Sequence, residues 1–188
     1  MPNTISLNDA EKLRLIKSLN PTEESLFLDA IARVKSDAQA DNYDEVDSLL
    51  GQHFSEDERL KLELDSLVES FKYRRTLLKD SISSSEVARI LDVSRQTPHD
   101  RVKAQSMLAV MDNGVLKFPL WQFSSEGSNG VIEGLPEVLK ALNVSDFSKL
   151  SWLVSENPFL GFTPVEALQR GLKDRVIQEA LTVGYGQT

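Results

Sequence analysis

The residues of this chain best suited to chemistry are basic and amide side chains gathered at 95–103. Arg95, Gln96 and His99 stand close together in a polar stretch. An arginine fork matches the O6 and N7 acceptors of guanine, and a glutamine amide matches adenine, so these three are candidate base contacts. Arg101, Lys103 and, further on, Lys117 are candidate phosphate contacts. The alternative for each is a solvated side chain on an amphipathic helix.

Catalysis has no comparable foothold. The two histidines, His53 and His99, lie in unrelated segments. With no cysteine there is no thiol nucleophile, thiolate metal site or disulfide framework. No HExxH, CxxC, GxSxG, GxGxxG or phosphate loop occurs. The acidic clusters Asp44-Glu45 and Glu56-Asp57-Glu58 open expected helices, where the helix dipole favours carboxylates. The expectation is no enzyme, no metal and no cofactor.

The elements around the basic cluster read as a helix-turn-helix. The string S-x-x-E-V-A-x-x-L-x-V-S runs over residues 83–94. A serine caps the first helix, Val87, Ala88 and Leu91 form its buried face, and Asp92-Val93 turns the chain. The second helix begins at Ser94 or at Thr97. In such motifs the first residues of the second helix reach base edges. Pro98 bears on the choice, because a helix capped by Ser94 would lose a backbone hydrogen bond there. If Thr97 is the cap and Pro98 the first helical residue, Arg95 and Gln96 fall outside the helix. Asp112-Asn113-Gly114 is a hairpin turn between strands at 108–111 and 115–118, the expected wing.

Charge supports this division. The formal charge of -8 splits into -6 over residues 1–80, +1 over 81–123 and -3 over 124–188. Only the middle segment is not repelled by nucleic acid. Because phosphate neutralisation supplies most of the affinity of DNA binders, a balance of +1 implies several copies acting together, hence a homo-oligomer. No apolar run approaches the roughly 20 residues of a membrane span. The N-terminus lacks the basic and apolar regions of a signal peptide, so a cytoplasmic protein without membrane contact is expected.

Residues 1–80 read as an acidic helical region suited to oligomerisation. Ser6 or Asn8 can cap a helix through about Leu19, and Pro21-Thr22 starts a second. A short helix is expected at 43–50, closed by Gly51. Ser55 and Glu58 form a capping box for a helix to about Lys79. Its stripe of Leu60, Leu64, Leu67, Phe71 and Leu78 suits either a coiled-coil seam or a packed core helix. Residues 124–133, rich in glycine and serine, read as a flexible linker. The fold class is mainly α: N-terminal helices, a helix-turn-helix at 81–123 with a small β-wing, and a helical domain at 134–188.

The C-terminal domain carries the pattern W-x4-NP-x-LG-x-TP-x-EAL-x2-G at residues 152–171. Asn157-Pro158 ends one element, Leu160-Gly161 turns, and Thr163, Pro164 and Glu166 start a helix as N-cap, first residue and capping-box partner. Gly171 suits the end of that helix. This pattern resembles the toxin-binding domain of Xre/MbcA/ParS-type antitoxins, which neutralise RES-domain toxins. The string F-P-x-W-Q-F at 118–123 and the helix-turn-helix are similar to the excisionase-like and winged modules that precede that domain. The resemblance covers residues 83–183. It implies that residues 134–188 cover the entrance of a toxin that degrades NAD or transfers ADP-ribose. Phe162, Arg170, Lys173, Asp174, Arg175 and Tyr185 would then face the toxin, with the arginines as polar anchors. It also implies autoregulation through operator DNA. The other readings are a solitary DNA-binding regulator or plasmid-maintenance factor, and a protein-interaction adaptor.

Overall fold

Short-range capping signals set most helix starts in the computed structural model, which describes residues 9–38, 55–125 and 127–183. The chain is mainly helical with one small antiparallel sheet. It divides into two compact units, Met1–Thr76 and Leu77–Thr188.

In the first unit α1 spans Asp9–Ile16, α2 Pro21–Ala38 and α3 Glu56–Leu78. Asn20 caps α2. Its Oδ1 accepts from the Glu23 N–H at 2.9 Å, and the Glu23 carboxylate accepts from the Asn20 N–H at 3.0 Å. Pro21 takes the first helical position, where its missing N–H costs nothing. The same buried carboxylate receives Arg75 of α3 at 2.6 Å. Arg75 also donates to the carbonyl and hydroxyl oxygens of Ser18, each at 2.8 Å. One guanidinium thus ties the α1–α2 turn to α3. The Ser55–Glu58 box opens α3 as expected. Along the α3 stripe Phe71 is buried with Val68 and Ala30, while Leu60, Leu64 and Leu67 are half-buried. That pattern fits a helix packed on its neighbours. The caps expected at Ser6 or Asn8 and the helix expected at 43–50 lie outside the described residues.

The second unit opens with β1 (Ser81–Ser83), α4 (Ser84–Ile90) and α5 (Thr97–Lys103), then β2 (Val110–Asp112) and β3 (Val115–Pro119). The sheet order is β1-β3-β2, with Ile82 opposite Phe118 and Val110 opposite Lys117. The β2–β3 hairpin turns on Asn113 and Gly114, at φ 49° and 75°. Two successive left-handed residues make the type I′ turn that suits strand twist, which explains the Asn-Gly pair. The expected wing therefore forms, joined by β1, a strand too short to leave a periodic signal.

Four helices follow: α6 (Leu135–Ala141), α7 (Asp146–Val154), α8 (Pro164–Gln169) and α9 (Lys173–Thr182). They share one hydrophobic core with the sheet and α4. Val87, Leu108 and Phe118 belong to the same buried cluster as Leu139, Leu153 and Val176. The linker expected at 124–133 is not a flexible tether here. Val131 and Ile132 are buried in that core. Ile132 donates its N–H to the Gln122 carbonyl at 2.8 Å, and Phe123 bridges Val131. Its glycines shape a compact turn, with Gly130 at φ 76°. The helix-turn-helix and the C-terminal helices thus form one folding unit. Among the described residues no helix is long and apolar enough to cross a membrane.

Candidate nucleic-acid interface

The first helix of the pair is held by its ends. Ser83 caps α4 in a complete box with Glu86: the Glu86 carboxylate accepts from the Ser83 N–H at 2.8 Å and hydroxyl at 2.7 Å. The N–H and hydroxyl bonds from Ser83 hold the Glu86 carboxyl below its usual value, helped by the positive charges of Arg89 and Lys117. At the other end Asp92 takes a left-handed conformation, φ 50°. It lets the Val93 N–H reach back to the Ala88 carbonyl at 3.0 Å and the Asp92 N–H to Arg89 at 3.4 Å. These are the paired bonds of a Schellman ending, with Asp in the usual glycine place. α5 ends the same way with Gln105 at φ 53°.

Pro98 resolves the alternatives for α5 in a third way. Gln96 is the N-cap, Thr97 the first helical residue and Pro98 the second. The N–H at that position has no intrahelical partner in any helix, so proline costs nothing there, and its ring is buried. A single turn at 94–97, closed by the Thr97 N–H on the Ser94 carbonyl at 3.1 Å, precedes it. Arg95 and Gln96 therefore stand just before the helix, at its N-terminal mouth.

The expected contacts fare differently. Arg95 is exposed and makes no ion pair or hydrogen bond among the described residues. Gln96 is exposed and donates to Asp100 Oδ1 at 3.2 Å. Lys103 is exposed one turn beyond Asp100, and His99 is half-buried. The outward face of α5 thus reads Gln96, Asp100, Lys103, with one carboxylate between amide and ammonium. Arg101 is drawn inward: its Nη1 donates to the Asn129 carbonyl at 2.6 Å and clamps the 128–130 turn. That contact makes it a structural residue before a phosphate ligand. Lys117 sits on β3, close enough to Glu86 to depress its carboxyl. Arg89, exposed in the last turn of α4, adds a positive charge that the motif reading passed over.

One buried polar residue supports the base of the wing. Gln122 is completely buried, and its Oε1 accepts from the Leu108 N–H at 2.8 Å. Its Nε2 donates to the Leu108 carbonyl at 2.9 Å and to the Pro119 carbonyl at 3.1 Å. The amide serves the backbone on either side of the hairpin, and explains the glutamine of F-P-x-W-Q-F.

Of the residues expected to face a toxin, Phe162, Arg170 and Arg175 gather around one turn. Asn157 Oδ1 accepts from the N–H groups of Phe159 and Leu160 at 2.9 and 3.1 Å, and Asn157 N–H donates to the Phe162 carbonyl at 3.0 Å. Thr163 and Glu166 complete their box, and Gly171 at φ 75° ends α8, both as expected. Phe162 is half-buried under Arg170, whose guanidinium lies 3.7 Å from the ring centroid. Arg175 donates to the Phe159 carbonyl at 2.9 Å. Lys173 lies 3.5 Å from Glu137, and Asp174 is exposed. Tyr185 lies outside the described residues. Phe159, on the same turn, is 74% exposed.

No family model matches this chain. No curated protein matches it either. A solved structure described as "NMR structure of Rv2175c" is 22% identical, covers 56% of this chain and 81% of its own, with a TM-score of 0.49.

Proposed function

We propose that this chain is a DNA-binding transcription regulator of the antitoxin type, working in the cytoplasm. The observation that carries the reading is the joining of α4, the 94–97 turn, α5 and the β2–β3 hairpin in one winged arrangement. Arg95, Gln96 and Lys103 stand on its exposed side. Set N-terminus first into a major groove, α5 brings Arg95 and Gln96 to base edges. Lys103, Lys117 and Arg89 face backbone phosphates. Two or three phosphate contacts per copy give a log-log salt slope of roughly -2 to -3, so operator affinity depends on more than one copy. Gel shifts with the region upstream of the gene, over a salt series, test the reading. Arg95→Ala should cost about 1–3 kcal/mol and relax base preference, whereas Lys103→Ala should lower the salt slope by about 1.

Capture of a RES-domain toxin by residues 134–188 is the second reading. It is supported by the ordered pattern at 152–171 and by the exposed turn which that pattern builds around Phe159. Co-expression with a candidate RES toxin tests it. Restored growth with a co-purifying complex supports capture, and a toxin that is neither bound nor neutralised removes it.

A further inference from the structure

We infer that the Phe159 turn of one copy of this chain seats in the cleft that Phe123, Ile132 and Glu133 form with the α8–α9 corner of a second copy. Two features of the second unit fit each other. The first is a knob. Phe159 is 74% exposed, the most exposed large hydrophobic side chain among the described residues. It is not loose. Asn157 fixes the backbone of the turn, and Arg175 binds the Phe159 carbonyl. Arg170 lies against the neighbouring Phe162 ring. Neither arginine makes an ion pair among the described residues, so both guanidinium groups beside the aromatic tip keep donors for a partner.

The second feature is an open cleft of about 610 Å³. Phe123, Ile132 and Leu168 supply its apolar lining. Glu133 and Asp174 also line it; both are exposed and make no ion pair among the described residues. Lys173 is the cation in the lining, and Glu137 lies 3.5 Å from its ammonium. The knob is aromatic and basic, and the cleft sets the Phe123 ring among polar side chains that include the Glu133 and Asp174 carboxylates. In a chain of charge -8 the acidic cleft is ordinary and the basic knob is not. Aromatic side chains and arginine are both enriched at protein interfaces relative to the rest of the surface. Because this chain carries the complement itself, a second copy is favoured over a different protein. The inference does not depend on DNA binding, although two copies would supply the second recognition helix that a weakly charged module needs.

The test places the photoreactive analogue p-benzoylphenylalanine at position 159 of the full chain, which keeps an aromatic tip. It is irradiated with an isotope-labelled second copy, and the cross-linked peptides are sequenced. The expected product joins position 159 to residues 123–133 or 168–174 of the labelled copy. In sedimentation, Phe159→Asp and the pair Glu133→Arg with Asp174→Arg should each weaken that association by about thirtyfold or more, with circular dichroism unchanged. Cross-links elsewhere on the second copy, none at all, or capture of only a different protein in cells would overturn the inference. Because the readout is the cross-linked position, association through the first unit cannot imitate it.

Discussion

Replacing Gln122 with leucine tests whether the wing and the C-terminal helices form one unit. The side chain is fully buried and makes three hydrogen bonds, to the N–H and carbonyl of Leu108 and the carbonyl of Pro119. Leucine has similar bulk and no polar atom. It would leave the Leu108 N–H and at least one carbonyl buried without partners, at about 1–3 kcal/mol each. The gain from burying an apolar side chain offsets part of this, leaving a net loss of about 2–4 kcal/mol. For a domain of roughly 100–150 residues, at about 4 °C per kcal/mol, that is a fall in Tm of roughly 8–16 °C. Both the wing and the C-terminal helices should melt in the same transition, since their side chains share one core. Gln122→Glu adds a pH signature. The carboxylate would face the Leu108 and Pro119 carbonyls, so burial and repulsion raise its pKa in the folded state. The charged form is therefore the destabilising one. The variant should be least stable near pH 8 and should recover as pH falls through the raised pKa. Differential scanning calorimetry of both variants measures these effects. A Gln122→Leu protein melting within about 2 °C of the parent would refute the reasoning, as would two separate transitions in the second unit.

Three further outcomes follow from local geometry. Gly171→Ala should cost about 1 kcal/mol, because φ is 75° but a Cβ there meets nothing within 4 Å; Gly127→Ala should cost far more, because its Cβ would overlap the Val131 carbonyl oxygen. Urea titration ranks the two. Glu86 has its pKa lowered by the Ser83 bonds, so its contribution is present above the ordinary carboxylate range and lost as pH falls through the lowered value. The stability difference between the parent and Glu86→Gln, followed by circular dichroism, should therefore shrink on acidification. Arg75→Met leaves the buried Glu23 carboxylate without its cation and should destabilise the first unit by about 2–4 kcal/mol, read from its thermal transition.

Much of the helix punctuation was legible in the residues. Ser83 with Glu86, Ser55 with Glu58 and Thr163 with Glu166 all cap where their spacing says, because a capping box is a contact between residues three apart. Asn113-Gly114 gave the wing for the same reason. What depended on distant contacts was hidden. The 124–133 stretch has a linker's composition, yet Val131 and Ile132 are drawn into a core assembled from segments on either side. Gln122 looks like an ordinary polar residue until Leu108 is placed beside it. Arg101 reads as a phosphate ligand because nothing local reveals the Asn129 carbonyl. Phe159 reads as core by type, and its exposure follows from the Asn157 turn that lifts it outward.

Selection of bound duplexes from a random pool by the full chain is the sharpest test of the proposed DNA reading by the 94–103 surface. The expected result is an enriched sequence whose affinity falls steeply between about 50 and about 200 mM salt, and loss of enrichment with Arg95→Ala and Lys103→Ala combined. No binding to any duplex at low salt with about 10 μM protein would contradict it, as would equal binding by the double variant.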